Sequence, residues 1–130
     1  MSQILIKVRD YTLEPFGRYE TDGEGNGEEF RKKFILPALK SGDDVLIDLD
    51  GINDGYGSSF IVEAFANLIR KENFSYAEIK TRLKFKSTNT KWIKEIESYI
   101  DATKDKDNSV INSVLKWKLN RPEFIGDQFV

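Results

Sequence analysis

Cysteine and histidine are both absent from the 130 residues of the chain. Without cysteine there is no disulfide, no thiolate nucleophile and no cysteine-ligated zinc or iron–sulfur site. Without histidine the Ser-His-Asp triad and the usual zinc and iron sites fall away as well. An excess of one charge is missing too. Twenty basic residues stand against 22 acidic ones, for a net charge of -2, so no global field draws the chain to nucleic acid or anionic lipid. Lys84, Lys86, Lys91 and Lys94 around Trp92 accordingly read as a solvated face. No apolar run approaches the length of a membrane span. The amino terminus has only Ile4, Leu5 and Ile6 in a row and no small-residue cleavage site of a signal peptide, which makes a cytoplasmic location the expectation.

What is present is the material of a globular domain: 39% hydrophobic, 12% aromatic and 32% charged residues. The length suits one domain with a real core and a tail. Ile4, Ile6 and Val8 alternate with polar or outer positions as a first strand. After the turn Glu14-Pro15-Phe16-Gly17, the segment Arg18-Tyr19-Glu20 is expected to pair as a brief second strand. A helix should start at Asn26, whose side chain can cap it, with Glu29 three positions on. Phe30, Phe34, Ile35 and Leu39 form its apolar stripe. Pro37 lacks a backbone donor and clashes with the preceding turn, so a kink or an end near Leu36 is expected.

The clearest pattern runs from Val45 to Lys71. Val45, Leu46, Ile47 and Leu49 make a strand that Gly51 stops, and Asn53-Asp54-Gly55-Tyr56-Gly57 is a tight turn. Ser58 or Ser59 is expected to cap the following helix. Ile61, Ala64, Phe65, Leu68 and Ile69 form that helix's buried stripe, with Glu63, Asn67 and Arg70 off it. Leu83 and Phe85 end a further strand, and Trp92 or Ile93, Ile96, Tyr99 and Ile100 return to helical spacing. Residues 104–108 read as a solvated break, followed by a short helix from Val110 and an irregular tail in which Phe124, Ile125, Phe129 and Val130 are apolar. The fold expected is α/β, a mixed sheet of about four strands flanked by helices, with residues 1–104 as the domain and 105–130 as a helical extension.

Two chemical readings compete at the turn. Asp48, Asp50 and Asp54 could gather around magnesium, and the loop Asp22-Gly23-Glu24-Gly25-Asn26-Gly27 invites comparison with phosphate-binding loops. Together these make a small nucleotide-binding or phosphoryl-transfer protein the alternative function. Against it, no Gly-Lys-Ser/Thr follows the loop. Against a serine hydrolase, Gly57-Ser58-Ser59-Phe60 lacks the glycine two places after the nucleophile.

Gly17-Arg18-Tyr19, Asp22-Gly23, Gly27-Glu28-Glu29-Phe30-Arg31, Leu36-Pro37, Asp48-Leu49-Asp50-Gly51 and Gly55-Tyr56-Gly57-Ser58-Ser59-Phe60, continuing to Glu63-Ala64-Phe65, resemble the bacterial STAS-like family DUF4325, over about the first two-thirds of the chain. That family is similar to the anti-sigma-factor antagonist domains, in which a GHKL-type kinase phosphorylates a serine at the start of the helix after the central strand and also serves as partner. The resemblance implies a non-enzymatic regulatory module without cofactor or metal. It implies Ser58 or Ser59 as phospho-acceptor, and a partner face formed by Asp54, Tyr56, Gly57, Ser58, Ser59 and Glu63. The tail from residue 110 to 130 is a candidate for self-association.

Overall fold

A computed structural model describes residues 2–119, with side chains through residue 104. Strand β1 (Gln3–Lys7) leads straight into a short helix α1 (Val8–Tyr11). Helix α2 covers residues 27–40, helix α3 residues 58–70, and strand β2 (Asp44–Asp48) lies between them. Helix α4 (Tyr76–Arg82), strand β3 (Leu83–Lys86) and the long helix α5 (Thr90–Leu119) complete the described chain. By contact density the chain divides into two compact units, Met1–Ile100 and Asp101–Val130.

The sheet has three strands in the order β1-β2-β3, all parallel. This α/β architecture agrees with the expectation, but the sheet is not mixed and the fourth strand is absent among the described residues. Arg18 to Glu20 does not pair as a strand. Gly17 makes a single bridge to Asn26, and Glu20–Asp22 closes into one 3-10 turn. The Asp22 carboxylate accepts from the backbone N–H groups of Arg18 and Tyr19 at 3.2 and 2.9 Å, so local capping replaces a sheet ladder.

Register places Ile4, Val45 and Leu83 in one row and Ile6, Ile47 and Phe85 in the next. Val45 and Ile47 are fully buried in the core with Phe30, Ile35, Phe60, Ile61, Phe65 and Leu68. The opposite row, Leu5, Leu46 and Lys84, is exposed or half-buried, so the sheet's two faces differ in cover. Leu5 is 48% exposed.

Both central helices carry a π-helical stretch, Arg31–Ile35 in α2 and Val62–Ala66 in α3. Of the kink or end expected near Leu36 in α2, the end does not occur. The helix passes on through Leu36–Lys40, with Pro37 in the first turn of that last stretch, because the wider turn before it accommodates a ring that has no N–H to donate. Asn26 does cap α2, accepting from the Glu29 N–H at 2.7 Å. The break expected at 104–108 is likewise absent, since α5 runs through it as one helix. No proline or glycine interrupts that charged segment. Residues 120–130, with Phe124, Ile125, Phe129 and Val130, lie outside the described residues.

Candidate functional site

The carboxyl ends of the parallel strands converge on one rim, and two loops are fastened together there. Leu13 accepts from the Asn53 N–H at 2.9 Å, and Pro15 accepts from the Gly57 N–H at 3.0 Å. The loop after α1 is thereby pinned to the turn after β2. Arg9 supports the same junction from below, pairing with Asp48 at 3.1 Å and donating to the Asp50 carbonyl at 3.0 Å. Gly51 has φ +88°, and a Cβ there would fall 2.5 Å from the Arg9 stem, so the arginine occupies space that only glycine leaves open.

The aspartates are distributed rather than gathered. Asp48 is buried against Arg9. Asp50 accepts from the Ser87 hydroxyl at 2.7 Å and from the Thr88 N–H, and these bonds, the Ser87 one foremost, hold its carboxyl below the usual range. Asp54 is exposed. Among the described residues no three acidic groups stand close enough to hold a metal ion. The glycine-rich loop uses its own polar groups internally. The Asn26 amide donates to the Gly23 carbonyl at 2.8 Å, and the Asn26 N–H donates to the Tyr11 hydroxyl at 3.1 Å. Burial and the neighbouring Glu29 push that Tyr11 hydroxyl up to about 12. A cleft of about 390 Å³ opens nearby, lined in part by Arg9, Tyr11, Leu13, Glu14 and Asn53.

Tyr56 turns inward. Its hydroxyl donates to the Leu49 carbonyl at 2.7 Å, its ring meets Trp92 edge-on at 5.4 Å, and burial raises its pKa. Gly57 is the N-cap of α3, with no side-chain hydrogen bond. The expected serine cap is therefore corrected. Ser58 and Ser59 are the first two helical residues, one and two positions past the cap of their own helix. Ser58 is exposed. The Ser59 hydroxyl is half-buried and accepts from the Arg18 guanidinium at 3.1 Å, across 41 positions of sequence.

Glu63 is buried. It is 3% exposed and pairs with Arg31 at 3.1 Å, while the Arg31 guanidinium also donates to the Glu63 carbonyl and to Glu72 at 3.0 Å. Helix α2 covers this flank of α3, which a single apolar stripe on α3 cannot reveal. Their approach depends on Gly27, where a Cβ would sit 2.5 Å from the Phe60 carbonyl. Asn67 is buried as well.

A family model described as a STAS-like domain of unknown function (DUF4325) matches residues 26–91. The chain belongs to this STAS-like family. The matched span begins at the Asn26 cap and ends just inside α5, so it holds α2, β2, the turn, α3, α4 and β3. Arg18 precedes it. No curated protein and no solved structure matches the chain. Of the residues expected at the partner surface, Asp54 and Ser58 are exposed, Tyr56, Gly57 and Ser59 are half-buried, and Glu63 is buried.

Sequence reasoning missed what borders that surface. Leu13, Phe16 and Tyr19 are 48%, 45% and 42% exposed on the loop fastened to the turn. Tyr19 lies between two cations, with Arg18 5.8 Å and Lys71 5.9 Å from its ring centre. Their exposure was not legible from composition. The one signal available is the Gly17-Arg18-Tyr19 motif itself.

Proposed function

We propose that this STAS-like domain is a non-enzymatic regulatory module that binds a protein partner, a GHKL-type ATPase or kinase, through residues 54–59 and the adjoining loop. Phosphorylation of Ser58 or Ser59 switches that contact. One observation carries the reading: both hydroxyls stand at the start of α3 without serving as its cap, and one of them already meets an arginine. A phosphate at this position would add nearly two negative charges to the contact surface, where free helical N–H groups and Arg18 favour an anion. The exposed Phe16, Tyr19 and Arg18 are of the residue types that anchor protein interfaces. The chain's lack of histidine and cysteine, and the internal use of Asp48 and Asp50, support a role in binding over one in catalysis.

The test is to incubate the protein with a purified GHKL-type kinase from its own cells and ATP, then map modification by mass spectrometry. A phosphate on Ser58 or Ser59 is expected, and an unmodified peptide spanning Gly55 to Lys71 sinks the switch. Capture of the kinase by Ser59→Asp and Ser59→Ala variants separates the contact from the chemistry. Equal recovery by both would mean that the hydroxyl does not regulate binding.

A further inference from the structure

The two edges of the sheet are built differently. Strand β3 is four residues long and alternates exposed Lys84 and Lys86 with its apolar residues. Lysine on a short edge strand is a common way to prevent strand-to-strand association. Strand β1 carries a lysine only at its end, Lys7, and none between its apolar residues. Its sequence is Gln3-Ile4-Leu5-Ile6-Lys7, without proline, and β2 is its only strand neighbour among the described residues. Ile4 and Leu5 point to opposite faces, and both are exposed, at 37% and 48%. Both faces of the strand are therefore partly open at that point, and among the described residues no strand pairs with its outer row of backbone N–H and C=O groups.

The chemistry of β1 reads alike in both directions about Leu5: polar, three apolar, polar. We infer that β1 pairs antiparallel with β1 of a second copy of this chain across a two-fold axis at Leu5, joining two three-stranded sheets into one. In that register Leu5 faces its own equivalent, Ile4 faces Ile6 of the other copy, and Gln3 faces Lys7. Each apolar residue meets an apolar one, and the strand's only charge meets an amide instead of itself. A two-fold interface requires such self-complementarity. The same operation at β3 would bring lysine-rich edges together. The inference does not depend on the regulatory reading, since β1 contains none of the residues of the candidate site.

Sedimentation of the full chain over a concentration series tests it, together with cross-linking. The chain has no cysteine of its own, so Leu5→Cys introduces a single thiol. Facing residues of an antiparallel pair lie about 4.5–5.5 Å apart, within disulfide reach. Mild oxidation should convert this variant to a covalent dimer and leave Lys84→Cys monomeric. Leu5→Lys should give a folded monomer, and should that variant fail to fold, the cysteine pair decides alone. Gln3→Glu should tighten the dimer at low salt and Gln3→Lys should weaken it, because each faces Lys7. A chain that is monomeric throughout overturns the inference. So does a dimer that Leu5→Lys leaves intact, which would place the interface elsewhere, for example in residues 120–130. Equal behaviour of the two Gln3 variants would overturn the register and with it the two-fold pairing.

Discussion

Two arginines reach from the same early part of the chain to the same helix, and they do so in opposite surroundings. Arg31 is 2% exposed and meets Glu63, itself 4% exposed at its side chain, together with Glu72. Arg18 is exposed and meets a serine hydroxyl. A buried pair has lost its water, so removing one partner strands the other charge. An exposed contact can be exchanged for solvent at little cost. The difference separates what holds α2 and α3 together from what they display. A family motif that mixes both kinds of residue does not make that distinction.

The strongest way to break the comparison is at the buried end. Arg31→Ala leaves the buried Glu63 with only Lys71, 3.8 Å away and half exposed, as counter-charge, and should destabilise the domain by about 3 kcal/mol. Denaturant unfolding measures it, and a loss below 1 kcal/mol would mean that water reaches the pair. Gly27→Ala attacks the helix approach that keeps the contact dry. Its methyl would overlap the Phe60 carbonyl and the Ala64 N–H, at 2.5 and 2.9 Å, and overpacking of this kind costs about 1–3 kcal/mol. A fully stable Gly27→Ala protein would mean that the helices shift apart freely.

These sites also mark where sequence reasoning holds and where it stops. Periodicity identified the core faces of β2 and α3, because Val45, Ile47, Ile61, Ala64, Phe65 and Leu68 recur at the spacing of their elements. The Asn26 cap was legible for the same reason: its partner is three residues away. Glu63 was misplaced because a second helix buries it, and a helical wheel contains no information about that neighbour. The serine cap failed by one residue. Glycine at 57 serves as N-cap, and the boundary between cap and first turn lies below what local propensity resolves. Arg18 and Ser59 are 41 positions apart, and only the folded loops bring them together.

Between the dry and wet extremes stands Asp50, half-buried and bonded to Ser87 and Thr88. Its folded carboxyl titrates below the unfolded value of about 3.9. The sign follows directly. Its contribution is present above the unfolded value and is lost as pH falls through the lower folded one. Asp50→Asn should therefore be less stable than the parent at neutral pH, and the gap between their unfolding midpoints should narrow as the solution is acidified below about pH 4. Parallel curves across that range would show that the bonds to Ser87 and Thr88 do not distinguish the charged carboxylate from the amide.

The smallest effect is expected where the comparison matters most. Ser75 and Ser59 both sit at helix starts, yet only Ser75 accepts from a backbone N–H of its helix, that of Glu78 at 3.0 Å. Ser75→Ala should thus cost about 1 kcal/mol, the usual loss of a cap. Ser59→Ala removes only an exposed contact with Arg18 and should stay within about 0.5 kcal/mol of the parent. Parallel thermal melts decide between them. If the two serines cost the same, the Ser59 hydroxyl stabilises α3 as a cap does, and its availability for regulation is undercut. If Ser59→Ala melts with the parent while Ser75→Ala does not, that hydroxyl is dispensable to the fold, and any reason for its presence has to lie in what the surface meets.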